Sequence, residues 1–81
     1  MRILGIDPGL TKTGFGIIDI KNESLKLIDY GIIKPKREDK LERRLLTIFN
    51  DMSSIIDEYN PTVVSIEEVF YGKNVKSALL L

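Results

Sequence analysis

The sequence has no cysteine and no histidine among its 81 residues. Without cysteine there is no disulfide framework, no thiolate nucleophile and no thiolate metal ligand. Without histidine the chain lacks the commonest general base and the imidazole metal ligand. Any metal ion held by this chain must therefore be a hard cation bound through oxygen, for which Mg²⁺ is favoured and Mn²⁺ is the alternative.

An excess of one charge and a long apolar run are also missing. Twelve Lys and Arg residues balance twelve Asp and Glu residues, which counts against a stand-alone DNA-binding module, because such modules are usually basic. There is no apolar stretch of about 18 residues and no signal-peptide pattern, so we expect no membrane association and a cytoplasmic location. A hydrophobic content of 43% is typical of a globular chain, and the length allows one small domain.

An apolar run near the N-terminus ends abruptly on an acid and a turn. Ile3-Leu4-Gly5-Ile6 is too short for a helix and predicts a buried strand with Asp7 at its carboxyl end. Pro8-Gly9 predicts a tight turn in which Gly9 takes a positive φ. The carboxyl ends of strands are where α/β sheets bind ligands and metals. Asp7 could instead only cap the turn, so its role depends on a second acid nearby.

The segment 62–68 repeats this arrangement. Its β-branched run follows a proline and ends in Glu67 and Glu68. If this strand lies parallel and adjacent to the first, Asp7 and one glutamate come together about 4.8 Å apart, where they could share a divalent cation. Side-chain alternation sends the two glutamates to opposite faces and leaves open which of them joins Asp7. The simpler interpretation is an exposed polar strand end.

The remaining pattern predicts a mixed α/β fold. Residues 13–20 and 24–33 predict two further strands, joined by a turn at Lys21-Asn22, and the short connections favour an antiparallel meander. Residues 39–59 predict one long helix with an apolar stripe that includes Phe49 and Met52, both expected in the core.

Capping residues are predicted at both ends of this helix, and basic residues lie near its start. Asp39 with Glu42 fits a capping arrangement at its start, and Asn60-Pro61 ends it. The segment 34–37 breaks the strand pattern as a charged loop. The nearby basic residues lie off the apolar stripe and are expected to form a solvated helix face; they are Lys40, Arg43 and Arg44.

Five segments together resemble the RuvC family of Holliday junction resolvases: Gly5-Ile6-Asp7-Pro8-Gly9, Thr13-Gly14-Phe15-Gly16, Ile66-Glu67-Glu68-Val69-Phe70, Lys73-Asn74 and Ser77-Ala78-Leu79. Their order and spacing match over essentially the whole chain, and the combination is specific where each segment alone is not. The resemblance implies a ribonuclease H-like fold and a homodimer that cuts two opposed strands of a four-way DNA junction. It implies two Mg²⁺ ions in the complete enzyme, and a branch-migration motor complex is a further candidate partner.

The resemblance also assigns individual residues. Asp7 and Glu67, rather than Glu68, fall on catalytic and metal-binding carboxylates of the family, and Phe70 falls on an aromatic used against bases at the junction. Residue type supports further DNA contacts, because aromatic rings stack on bases, lysines meet phosphates and a glycine allows a phosphate to approach closely. These candidates are Tyr71, Lys73, Asn74, Lys12 and Gly14.

The apolar pattern of residues 75–81 stops without a cap or a polar exit. This predicts that residues 1–81 are the N-terminal part of a single ribonuclease H-like domain. The resemblance implies two more catalytic aspartates beyond Leu81, so we expect this chain alone not to cut junctions. We also expect its exposed apolar end to pair with a second copy, because exposed apolar patches promote association.

Three other functions stay open on the sequence. A nuclease of the same fold could act on ribosomal RNA precursors. A phosphotransferase or ATPase of the actin and sugar-kinase type also opens with a strand, an acid and a glycine-containing hairpin, although it gives no role to residues 66–70. A non-catalytic domain could dimerise or bind DNA without cutting it.

Overall fold

The computed structural model describes residues 1–67, and the structural statements below concern those residues. It contains five elements, which are β1 (Arg2–Asp7), β2 (Thr13–Lys21), β3 (Ser24–Ile33), α1 (Leu41–Tyr59) and β4 (Val63–Ile66). The strands form one sheet in the order β3-β2-β1-β4. Neighbours β1, β2 and β3 are antiparallel, whereas β4 runs parallel to β1. The predicted fold class, three antiparallel strands with a parallel fourth and one long helix, is confirmed.

The β2–β3 hairpin turns one residue later than predicted. Lys21 still belongs to β2 and pairs with Ser24, so the two turn residues are Asn22 and Glu23, with φ angles of 51° and 65°. Two consecutive left-handed residues give the turn the twist that a tight antiparallel hairpin requires.

The helix start also differs from the prediction. Lys40 is the N-cap and makes no side-chain capping bond, so the predicted cap by Asp39 with Glu42 is wrong. Asp39 lies one position too early, in a turn where its backbone N–H donates to the Lys36 carbonyl at 3.2 Å. The helix end is as predicted, because Asn60 adopts a left-handed conformation and its N–H donates to the Ile56 carbonyl at 2.8 Å.

The core lies between α1 and one face of the sheet. Leu4 and Ile17, which pair across β1 and β2, are fully buried there, and Ile33 is 4% exposed. Within residues 1–67 no α1 residue is fully buried, and Phe49 is 67% exposed while Met52 is half-buried. The prediction that Phe49 belongs to the core is therefore wrong for the described part of the chain, because α1 packs chiefly over β3 and turns only part of its apolar stripe toward the sheet.

The opposite face of the sheet carries no described helix. Its apolar side chains are largely exposed, and they include Leu25, Leu27, Tyr30, Ile32 and Val63. At one end of this face lie the strand-end acids Asp7 and Glu67.

Candidate active site

Asp7 is the last residue of β1, a strand with hydrogen-bonded neighbours on both sides. It lies opposite Gly14 of β2, and the ladder continues along the strand to the pair Arg2 and Asp19. Because β1 is held by β2 and by β4, the Cα of Asp7 is fixed more firmly than a residue in a free loop would be. The predicted position of Asp7 at the carboxyl end of a strand is confirmed.

Glu67 lies beside Asp7 at the adjacent strand end. The parallel register pairs Ile3 with Val63 and continues to Ile6 with Ile66. The N–H of Glu67 donates to the Ile6 carbonyl at 2.9 Å, which carries the ladder one residue further. Alternation then puts Glu67 on the same sheet face as Asp7. Alternation along one strand could not show which glutamate joins Asp7, whereas the register between β1 and β4 places Glu67 beside it.

Both acids line one open groove of about 310 Å³ at this end of the sheet. We call it the acid-lined groove, and its walls are Gly5, Ile6, Asp7, Gly14, Phe15, Gly16, Ser65 and Glu67. A Cβ added at Gly16 would meet nothing within 4 Å, and one added at Gly14 would meet only the Asp7 Cβ at 3.9 Å. The floor is therefore low, and a phosphate group can approach the backbone beside the two carboxylates.

The turn after Asp7 is closed by a side chain that the sequence analysis did not single out. The Thr13 hydroxyl accepts a hydrogen bond from the Gly9 N–H at 3.2 Å and donates one to the Gly9 carbonyl at 3.0 Å. Thr13 is 2% exposed, so these two bonds are shielded from water. The available signal was a β-branched hydroxyl residue at the first position of a strand, four residues after the turn glycine.

Gly9 is needed in this turn for a different reason from the one predicted. Its φ does not lie in the left-handed region, but a Cβ at this position would overlap the backbone carbonyl of Lys12. The requirement is therefore space for a close backbone approach and not a positive φ. Lys12 itself is exposed in the same turn, at the Asp7 end of the sheet, where it was predicted to meet DNA.

The carboxylates of Asp7 and Glu67 have no hydrogen bond or ion pair with another side chain of residues 1–67. Their oxygens fit a hard divalent cation, which prefers oxygen ligands and retains several waters. Among the described residues no group of three or more acidic, histidine or cysteine side chains could hold a metal ion. Two carboxylates would supply only part of the coordination shell of such a cation, and water and a phosphate group would have to complete it.

Four of the predicted DNA contacts fall outside the described residues: Phe70, Tyr71, Lys73 and Asn74. Glu68 and the apolar segment of residues 75–81 also lie there. In the part of the chain that the structure describes, no helix has the length and apolar character needed to cross a membrane.

A central β1 flanked by antiparallel β2 and parallel β4, with acids at the adjoining strand ends, defines a ribonuclease H-like protein. A sequence profile of the family described as Crossover junction endodeoxyribonuclease RuvC matches residues 3–81. The chain belongs to this family, as the sequence resemblance predicted.

Curated relatives carry the same family name. The protein from Caldicellulosiruptor saccharolyticus is 50% identical over 82 residues, covering 100% of this chain and 49% of the relative. The protein from Alkaliphilus oremlandii is 48% identical over 81 residues, covering 100% of this chain and 49% of the relative. The chain therefore spans about half the length of the curated relatives that it matches.

Solved structures show the same fold in two settings. Thermus thermophilus RuvC in complex with a Holliday junction substrate matches with a TM-score of 0.81 at 22% identity, covering 98% of this chain and 51% of that one. The Aquifex aeolicus PPX-GPPA enzyme matches with a TM-score of 0.66 at 19% identity, covering 99% of this chain and 31% of that one. Because both settings share the fold, the fold alone does not decide the function.

Proposed function

We propose that this chain supplies part of the active site of a Mg²⁺-dependent endonuclease that resolves four-way DNA junctions by paired phosphodiester hydrolysis. The observation that carries the proposal is the meeting of Asp7 and Glu67 at adjacent strand ends in the acid-lined groove, in a member of the RuvC family. The complex of Thermus thermophilus RuvC with a Holliday junction supports the choice of substrate.

Hydrolysis of a phosphodiester requires an activated water and a stabilised leaving oxygen. Two divalent cations would supply both when they are bound. Asp7, on the central strand, is the residue that would bridge the ions, and Glu67 would ligate one of them. The glycine floor leaves room for the scissile phosphate beside these oxygens. Mg²⁺ is the preferred ion and Mn²⁺ the substitute, since both favour oxygen ligands.

The architecture of the substrate argues for a homodimer. Cutting two opposed strands of one junction in a coordinated way requires two active sites in a fixed relation, and a pair of identical chains related by a two-fold axis provides them. A branch-migration motor is a further partner in this proposal, since it would bring new sequences to the two sites. The proposed location of the enzyme is the cytoplasm, because its proposed substrate is recombining DNA.

The carboxylates of Asp7 and Glu67 alone do not suffice for two divalent ions. We therefore expect the chain alone to leave a labelled four-way junction intact in Mg²⁺ or Mn²⁺. Activity should appear in a chimera in which residues 1–81 replace the matching half of the Caldicellulosiruptor saccharolyticus protein, because that protein is 50% identical over the whole chain.

The test of the proposal is cleavage of a four-way junction by this chimera. We expect paired cuts in opposed strands that need Mg²⁺ or Mn²⁺ and that disappear in Glu67→Gln, with junction binding retained. Unpaired nicking, equal cutting of a structured RNA, or cutting by the Glu67→Gln chimera would contradict the proposal. Binding of ATP without binding of the junction would favour the phosphotransferase alternative.

A further inference from the structure

The chain is neutral overall, but its basic residues are concentrated in one segment. Residues 34–44 contain six of the twelve basic residues against three acidic ones, a net charge of +3. The basic members are Lys34, Lys36, Arg37, Lys40, Arg43 and Arg44. We call residues 34–44 the basic shoulder. The sequence alone makes it a loop followed by a solvated helix face, and the structure gives it a definite place.

The basic shoulder leaves the sheet at the same end as Asp7. Ile33, the last residue of β3, pairs with Thr13, the first residue of β2, and Thr13 also closes the turn after Asp7. A second connection comes from Arg44, whose guanidinium donates through Nη2 to the carbonyl of Leu10 in that turn. The basic shoulder is thus anchored to the turn that follows Asp7.

At this end of the sheet, basic residues lie on the β3 side and acidic residues lie on the β4 side. Reading β3-β2-β1-β4, the chain presents Lys34, then Lys12, then Asp7, then Glu67. With strands about 4.8 Å apart, the backbone of Lys34 lies roughly 10 Å from that of Asp7. A DNA strand rises about 3.4 Å per nucleotide, so this distance corresponds to about three nucleotides.

The basic shoulder contains a groove of about 520 Å³ whose walls include Lys34, Lys36 and Arg43. Asp39 is the single carboxylate among its lining residues, and Pro35 and Thr47 complete it. Pro35 is buried between the two exposed lysines, so the backbone that carries them is fixed. Three cations around one acid favour an anionic ligand at this position.

We propose that the basic shoulder docks the phosphate backbone of the duplex arm next to the strand cut at Asp7 and Glu67. This inference rests on the proposed function and adds to it the surface that sets the distance from the arm to the cut. Contacts of this kind fix the register of a protein on DNA and carry no sequence information themselves. The surface should therefore contribute to affinity on any sequence.

The test compares two matched pairs of exposed lysines in the chimera. Lys34→Gln/Lys36→Gln removes two charges from the basic shoulder, and Lys21→Gln/Lys26→Gln removes two charges from the opposite end of the sheet. Binding of a fluorescent four-way junction is measured between about 50 and 200 mM salt, because each phosphate contact adds about 0.9 to the slope of log affinity against log salt.

We expect the slope to fall by about 1.8 in the shoulder pair and to stay at the wild-type value in the control pair. Arg43→Gln alone should lower it by about 0.9. A wild-type slope in both shoulder variants would overturn this inference and leave the proposed function standing. A folded chimera that fails to bind the junction at every salt concentration would overturn both, and equal losses in the shoulder and control pairs would show that only net charge matters.

Discussion

The two ends of the sheet treat their acids in opposite ways. At the far end the Arg2 guanidinium donates to both carboxylate oxygens of Asp19, at 2.8 and 3.0 Å, and to the Tyr59 carbonyl at 2.9 Å. The Tyr59 hydroxyl donates to the Asp29 carboxylate. The hydrogen bond from Arg2 holds the pKa of Asp19 below its usual value, and the bond from Tyr59 does the same for the pKa of Asp29.

At the near end, the carboxylates of Asp7 and Glu67 have no such partner among the side chains of residues 1–67 and line an open groove instead. Because Asp19 already binds a guanidinium and Asp29 already binds a hydroxyl, these two carboxylates are suited to holding α1 against the sheet. The near-end acids keep their oxygens available. The difference between the two pairs is therefore whether a protein group already binds the carboxylate, and only Asp7 and Glu67 combine a strand-end position with oxygens that no other side chain of residues 1–67 binds.

The largest expected effect separates the two ends by charge removal at constant shape. In the chimera, Asp7→Asn should lower junction cleavage about a thousand-fold or more, since metal-assisted charge stabilisation is worth several kcal/mol. Asp19→Asn should leave the cleavage rate per folded molecule unchanged and lower the melting temperature, because it leaves Arg2 without its ion pair. Single-turnover cleavage and thermal unfolding measure the two effects. A large loss of cleavage in Asp19→Asn would contradict the assignment of Asp19 to stability and Asp7 to cleavage.

A second prediction concerns the glycines of β2 and β3. A Cβ at Gly31 would lie 2.9 Å from the Phe15 ring, whereas one at Gly16 meets nothing within 4 Å. Gly31→Ala should therefore cost about 1–3 kcal/mol of unfolding free energy through overpacking. Gly16→Ala should cost little stability and should weaken cleavage, because its methyl group projects from the floor of the acid-lined groove. Urea unfolding and cleavage rates would show the contrast, and equal stability of the two variants would contradict it.

Two threonines give a third and smaller contrast. At each end of the sheet, one threonine hydroxyl makes two hydrogen bonds to the backbone of a single residue. Thr13 joins both backbone groups of Gly9, and Thr62 joins both backbone groups of Arg2, accepting at 3.3 Å and donating at 3.0 Å. Thr13 is buried and Thr62 is exposed. Thr13→Val should cost about 1–3 kcal/mol because it leaves the part-buried Gly9 N–H without its acceptor, and Thr62→Val about 0.5–1 kcal/mol.

Denaturant midpoints with a constant m-value would measure these losses. Thr13→Val should also raise the metal concentration needed for cleavage by the chimera, because the turn next to Asp7 loosens. An unchanged metal requirement would assign Thr13 to stability alone.

The smallest effect is the pH dependence of the hydrogen bond between Tyr59 and Asp29. The bond to Asp29 raises the pKa of Tyr59 from 10.0 to about 12. A raised pKa contributes stability that is present below the unfolded value and lost as the pH climbs through the folded one. The melting temperature should thus fall between about pH 10 and 12, and Tyr59→Phe should flatten that fall. The lowered pKa values of Asp19 and Asp29 contribute stability above their unfolded value of 3.8, which disappears as the pH drops through the lower folded values.

Local pattern predicted the elements and the strand directions, but not the details of packing and register. The bounds of β3 follow from its apolar run and flanking turns, so Ser24–Ile33 is predicted correctly. The face of Glu67 relative to Asp7 depends on the β1–β4 register, which is a tertiary quantity that no single strand encodes. The buried Thr13 bonds and the crowding at Gly9 depend on how a turn folds back on itself. Phe49 fits the apolar stripe of α1, yet a stripe does not say how far the neighbouring sheet extends beneath it.

The parallel pairing of β1 with β4 has a consequence for how the protein is made. The groups that it brings together, such as Arg2 and Thr62, are 60 positions apart in the chain. A ribosome must therefore release β4 before the second carboxylate can join the first, and contacts of such long range form late and slowly. The hairpin of β2 and β3 can form earlier because its partners are close in sequence. A nascent or partly folded chain consequently holds Asp7 without Glu67, so the acid-lined groove is assembled only when the sheet is complete.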